Sequence, residues 1–247
     1  MAQTVVFLHG FGENASVWDD LSEAFSFENH VLTPDYSEQA LPSVDAYAGW
    51  LRDWLDAQQV GPCVLIGHSM GGYIALALAE RYPDRLRGLG LFHSTAYADT
   101  EERKQKRLES ISVLEEKGAV TFLENFIPNM YAEAFVEHRP QIIAQHLESV
   151  KNLSVAALIA AMRAMRERPD RRAVLEKASF PVLFIIGMAD RSVSPQDSLE
   201  QVELPAQVHD LVLEGVGHSG MTEAPEACII AIREFLEMTG EEGELSD

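Results

Sequence analysis

The sequence predicts an α/β protein: a mainly parallel six-stranded sheet flanked by helices, with a helical cap inserted into it. Three observations carry this expectation. Short apolar runs alternate with helical patterns, which is the signature of a parallel sheet. The stretch from about 95 to 171 breaks that alternation and holds helical patterns only. A glycine-flanked serine, Gly67-His68-Ser69-Met70-Gly71, falls where a strand should turn into a helix.

The elements follow in order. Thr4-Val5-Val6-Phe7-Leu8 reads as a buried strand, and His9-Gly10-Phe11-Gly12 follows it. Further strands are predicted near 30–35, 62–68, 86–93, 181–187 and 209–214. Pro42 and Ser43 start a helix that runs through Trp50 and Leu55. Gly72 to Ala79 reads as the helix after the serine. Within the insertion, Thr100 caps a helix whose first turn carries Glu101 and Glu102, with Gly118 as its stop. Leu108, Ile111 and Leu114 recur along it at helical spacing. Ser154 opens another helix, with Val155, Leu158, Ile159, Met162 and Met165 on one face. The predicted organisation is a core of 1–94 and 172–240, a cap of 95–171 and an acidic, disordered tail of 241–247.

A serine on a sharp strand-to-helix turn has its hydroxyl lifted above the sheet, and small neighbours let the turn close. Serine is a weak nucleophile, so it needs a base, and the base needs an orienting acid. Asp190 follows the strand Phe180 to Gly187, and His218 follows the strand around Leu211 to Leu213. The chain order Ser69, Asp190, His218 is therefore that of a nucleophile, an acid and a base at three strand ends. Acyl transfer also needs oxyanion donors. The expected pair is the backbone N–H of Met70, directly after the serine, and that of Phe11, in the loop after the first strand. His9 is read as a brace for that loop.

On His9-Gly10-Phe11-Gly12, Gly67 to Gly72, Gly187-Met188-Ala189-Asp190 and Gly217-His218, the chain resembles the α/β-hydrolase fold superfamily. It looks like one of the small, cap-bearing serine hydrolases, and the resemblance covers essentially the whole chain. Relatives by these motifs include carboxylesterases, enol-lactonases, carbon–carbon bond hydrolases and cofactor-free perhydrolases. The resemblance implies a serine hydrolase, in first place a carboxylic ester hydrolase with a small-molecule substrate. Carbon–carbon bond or enol-lactone hydrolysis by the same triad, or a ligand receptor of this fold with vestigial turnover, are the alternatives. There are two departures. The two antiparallel strands that often open this sheet are missing, which leaves the strand near 30–35 at an edge. The turn after Pro34-Asp35 lacks its usual glycine. Insertions after the fourth strand sit over the carboxyl ends of the sheet, where ligands bind. Tyr97, Phe122, Phe126, Met130, Tyr131 and Met162 are the pocket candidates, with Met165 beside them. The run Glu101 to Arg107 is read as a solvated helix face.

Composition narrows the rest. The net charge is −20, from 39 acidic and 19 basic residues. Such a balance argues against nucleic acid and anionic membrane surfaces, which need Lys and Arg clusters. The N-terminus carries no basic, apolar leader, so a cytoplasmic location is expected. Cys63 and Cys228 are read as buried thiols. The histidines show no metal-ligand spacing, and no phosphate loop or dinucleotide fingerprint occurs, so neither metal nor cofactor is expected. An exposed sheet edge invites pairing, so the chain is expected as a monomer or homodimer.

Overall fold

The computed structural model describes residues 2–240; the expected disordered tail lies outside them. Six strands form one all-parallel sheet: β1 (Thr4–Leu8), β2 (His30–Leu32), β3 (Cys63–His68), β4 (Leu86–Phe92), β5 (Val182–Gly187) and β6 (Val208–Leu213). Their spatial order is β2-β1-β3-β4-β5-β6. The strand near 30–35 is at an edge, as expected. It spans only three residues, because Pro34 has no N–H to continue a ladder.

Apolar side chains alternate between the two faces of the strands, as period-two geometry requires. Val6, Leu8, Leu65, Leu89, Leu91 and Phe184 join one core. It is shared with α2 (Val44–Ala57) and α3 (Met70–Arg81). Val5, Phe7, Val64, Ile66, Leu183 and Ile185 join the other. That side is closed by helices α1 (Asp19–Ser26) and, last in the chain, Pro225–Gly240. Cys63 and Cys228 belong to opposite cores, and both are buried free thiols. Burial pushes them up, to about 11 and about 12 respectively.

Between β4 and β5 the described chain is helical: α4 (Glu101–Phe126), α5 (Glu133–His138), α6 (Pro140–Val150), α7 (Val155–Arg166) and α8 (Arg172–Glu176). Thr100 Oγ1 caps α4 by accepting Arg103 N–H at 3.3 Å, and Ser154 Oγ caps α7 by accepting Ala157 N–H at 3.1 Å. Gly118 breaks α4 with φ 79° and ψ 174°, a conformation that favours glycine, and a second helical run continues beyond it. The two ends of this segment are tied together. Asp99, at its start, is buried between Arg168 Nη1 at 2.6 Å and the Arg107 guanidinium. Arg171 N–H donates to Ala96 O at 2.7 Å beside them. After β5 come α9 (Pro195–Val202) and, past β6, α10 (Gly220–Glu223); the final helix above is α11. No helix among the described residues is long and apolar enough to cross a membrane.

Candidate active site

Ser69 is the hinge between β3 and α3. Its φ of 50° and ψ of −114° lie outside the usual regions for an L-residue. Such strain persists only where the surroundings enforce it. Gly67 and Gly72 make the enforcement possible. A Cβ on Gly67 would lie 2.3 Å from the Gly71 carbonyl carbon, and one on Gly72 would lie 2.2 Å from Ser94 Oγ. Ser94 Oγ in turn donates to the Ser69 carbonyl at 2.8 Å, fixing the turn from the β4 side.

Asp190 and His218 meet at the ends of the neighbouring strands. His218 Nδ1 lies 2.7 Å from Asp190 Oδ2. The other carboxylate oxygen of Asp190 accepts Ser192 N–H at 2.7 Å and Val193 N–H at 3.0 Å. Burial works to raise its pKa, but His218 and these donors hold it below the usual carboxylate value. Asp190 caps no helix; Ser194 Oγ caps α9, accepting Asp197 N–H at 3.2 Å. His218 is fixed at its backbone too. Its N–H donates to Met130 O at 2.6 Å, and its carbonyl faces His68 Nε2 at 2.7 Å.

Ser69 and His218 open onto one pocket of about 320 Å³, with Phe11 on its wall. Met70 is buried behind it and is the first residue of α3, so its N–H belongs to the positive end of the helix dipole. The N–H groups of Phe11 and Met70 have no acceptor among the described residues. His9 braces the Phe11 loop as expected: its Nδ1 donates to Gly10 O at 2.9 Å and its ring stacks on Tyr36 at 3.9 Å. Tyr36 reaches back with its hydroxyl to the His9 carbonyl. The turn that lacks the usual glycine thus supplies the loop's support.

Of the six pocket candidates, Phe126 and Met162 line this space, and Met165 joins them. The other four are placed elsewhere. Phe122 stacks on Phe126 and meets Phe11 edge-on, one layer back. Met130 is buried and offers only its carbonyl, to His218. The Tyr131 hydroxyl turns away to His146 Nδ1 at 2.7 Å. Tyr97 packs under Arg172, 4.5 Å from ring centroid to guanidinium carbon, toward α9. The expected solvated face of α4 is also split. Glu101 and Glu102 are exposed and pair with Lys104 and Lys106, whereas Arg103 and Arg107 stand on the pocket wall, which the exposed Lys106 also touches.

Three residues beneath the site escaped the sequence reading. Glu13 is fully buried; it accepts Gly10 N–H at 2.5 Å and faces His68 Nδ1 at 2.7 Å. With Glu13 ionised, both ring nitrogens of His68 face acceptors and the ring carries two protons. Burial works to raise the pKa of Glu13, but His68 and the Gly10 N–H overcome it and hold it at about 2. Burial works to lower that of His68, but Glu13 and the His218 carbonyl leave it raised. His93 sits 3.7 Å from Asp190 Oδ2. Burial drives it down to about 3, so it stays uncharged and leaves the carboxylate to His218. A polar residue inside an otherwise apolar or glycine-rich stretch was the available signal for all three. Among the described residues, no group of three or more His, Cys, Asp or Glu is placed to hold a metal ion.

A strained serine at a strand-to-helix turn, beneath helices inserted after the fourth strand of a parallel sheet, defines the α/β hydrolase class of architecture. The alpha/beta hydrolase family model matches residues 5–231, and the chain belongs to that family. The chain is 25% identical over 242 residues to the 2-succinyl-6-hydroxy-2,4-cyclohexadiene-1-carboxylate synthase of Enterobacter sp. (strain 638), covering 95% of this chain and 92% of that protein. It is 27% identical over 241 residues to the pimeloyl-[acyl-carrier protein] methyl ester esterase of Neisseria meningitidis serogroup B (strain H44/76), covering 94% and 92%. A thermophilic esterase from Thermogutta terrifontis superposes with a TM-score of 0.90 at 29% identity, covering 97% of this chain and 91% of that one. These relatives support a hydrolase.

Proposed function

We propose that the protein hydrolyses small carboxylic esters through an acyl-enzyme on Ser69. The observation that carries this reading is the 2.7 Å contact of His218 Nδ1 with buried Asp190, while His218 shares one pocket with Ser69. Ser69 Oγ attacks the ester carbonyl as His218 Nε2 takes its proton, and an Oγ–C bond forms. The oxyanion receives the N–H groups of Phe11 and Met70. As the ester C–O bond breaks, His218 returns the proton to the leaving alcohol. Water then attacks the acyl-enzyme, giving its proton to His218, and the acid leaves as Ser69 is reprotonated. Asp190 holds the imidazole in the required tautomer and stabilises it when charged. The helices between β4 and β5 serve as the cap over this chemistry. Two of the relatives are named as esterases, one of them for a methyl ester, which favours the ester over the carbon–carbon reading.

The test is steady-state hydrolysis of p-nitrophenyl esters of increasing acyl length. Ser69→Ala should lower kcat/KM by ~10³-fold or more while the protein stays folded. Turnover that survives the substitution would overturn the assignment.

A further inference from the structure

We infer that the ester taken by this pocket bears an anionic group, a carboxylate or phosphate, away from its scissile carbonyl. The inference deepens the ester reading of Ser69 and rests on it for the reaction, though not for the binding. Its ground is the charge of the wall. The chain has 39 acidic and 19 basic residues, yet the pocket is lined by Arg103, Lys106, Arg107 and Arg191 and by no Asp or Glu. A net charge of −20 repels anions at long range, so a basic wall here runs against the background of the whole molecule.

The four cations are not equivalent. Arg107 is held by buried Asp99, and Lys106 pairs with Glu102 at 2.7 Å. Arg103 and Arg191 make no ion pair with a described carboxylate. Arg103 lies one helical turn before Arg107, with Ser110 one turn beyond, and all three line the pocket from α4. Arg191 enters from the loop after β5, beside Asp190, and Nη2 donates to the Tyr131 carbonyl at 3.1 Å. One free guanidinium thus stands on each of two elements that wall the same space. The remaining wall includes Phe126, Met162 and Met165 beside Ser110 and Ser192, and Arg191 keeps part of its surface in water. A guanidinium in such surroundings is best satisfied by a planar or tetrahedral oxyanion, which it can grip with two parallel N–H bonds. A neutral acyl chain of the same length would leave both forks unmatched.

The probes are monomethyl adipate and dimethyl adipate, which share one six-carbon diacid chain and differ in a methyl cap that removes one charge, with methanol release per ester group as readout. Methyl 5-phosphonopentanoate supplies the tetrahedral oxyanion, and the better of the two anionic esters names the group. The wild-type protein should favour an anionic ester over dimethyl adipate in kcat/KM. In Arg103→Gln/Arg191→Gln that ratio should fall about 10- to 100-fold, the range for losing charge-assisted hydrogen bonds. Arg103→Lys/Arg191→Lys, which keeps the charge, should retain a larger part of it. A wild-type ratio of one or less, or a ratio unchanged in the Gln variant, overturns the inference. Calorimetric binding to Ser69→Ala separates the two readings. If no ester turns over, the ester reading fails. Tighter binding of monomethyl than dimethyl adipate, lost when both Arg residues become Gln, then still upholds the anion site, and equal binding overturns it.

Discussion

Replacing Glu13 by Gln tests the buried charge pair beneath the site. Glu13 Oε2 and the His218 carbonyl each lie 2.7 Å from a ring nitrogen of His68. A carbonyl cannot donate, so Nε2 carries a proton; with Glu13 ionised, Nδ1 donates as well, and the carboxylate is its counter-charge. Glutamine keeps the shape and strands the cation in a dry site. Removing one partner of a buried pair costs about 3–5 kcal/mol. For 247 residues, at about 2.1 cal/mol/K each, the unfolding entropy is roughly 0.5 kcal/mol/K. Tm should therefore fall by about 6–10 °C. The pH dependence sharpens the test. Glu13 is lowered from 4.5 to about 2, so its contribution is complete above 4.5 and is lost as pH falls toward 2. His68 is raised from 6.5, so its contribution is complete below 6.5 and is lost as pH rises through the folded value. In Glu13→Gln the sign for His68 reverses: burial without a counter-charge favours the neutral ring, so stability grows as pH rises toward about 6.5 and levels off above it. The gap between the two proteins should be widest near pH ~5.5 and narrow on the alkaline side. Scanning calorimetry from pH ~5 to ~9 reads both effects. A shift under ~2 °C, or a gap independent of pH, would refute the charge-pair assignment.

Two further substitutions probe the site from different sides. Asp190→Asn should leave the fold intact, because an amide oxygen can still accept the Ser192 and Val193 N–H groups. It should lower kcat by ~10³- to 10⁴-fold through the wrong imidazole tautomer, and near-normal turnover would place the acid elsewhere. Gly72→Ala forces a Cβ to within 2.2 Å of Ser94 Oγ. The displaced Ser94 no longer holds the Ser69 carbonyl, so Tm should drop by about 2–6 °C and kcat with it. A variant as stable and as active as the parent would show that the turn does not depend on this contact.

The sheet was legible because buried parallel strands leave short apolar runs that little else produces. Ser69, Asp190 and His218 could be singled out because the proposed chemistry needs given residue types just past given strands, and the fold brings Asp190 to His218 and His218 to the pocket of Ser69. The pocket wall was less so. Which cap side chains face the serine depends on the break at Gly118 and on how α4 meets α7, and neither is written into helical spacing. Phe126 and Met162 share their apolar pattern with Met130, which ends up behind His218, and with Phe122, one layer back. The run Glu101 to Arg107 looked solvated because i,i+4 charge pairs suit any exposed helix. Only the fold shows that its arginines turn inward while its glutamates turn out. Glu13 and His68 could not be paired for a different reason. They sit 55 residues apart, and nothing local marks them as partners.

The clasp at the base of the inserted helices bears on how this chain could diversify. Asp99 with Arg168, and Ala96 with Arg171, fasten the segment's first and last turns to each other. The loop is closed at its neck, so added length between these ends costs little closure entropy. Each doubling of the enclosed length would add only about 0.6 kcal/mol of closure entropy. The stretch around Met130 is the exception: its carbonyl holds the His218 N–H at 2.6 Å, and the Tyr131 carbonyl accepts from Arg191, so insertions there would disturb the site. The clasp thus leaves length free to change between Asp99 and Arg168 except where the segment itself grips the loop of His218.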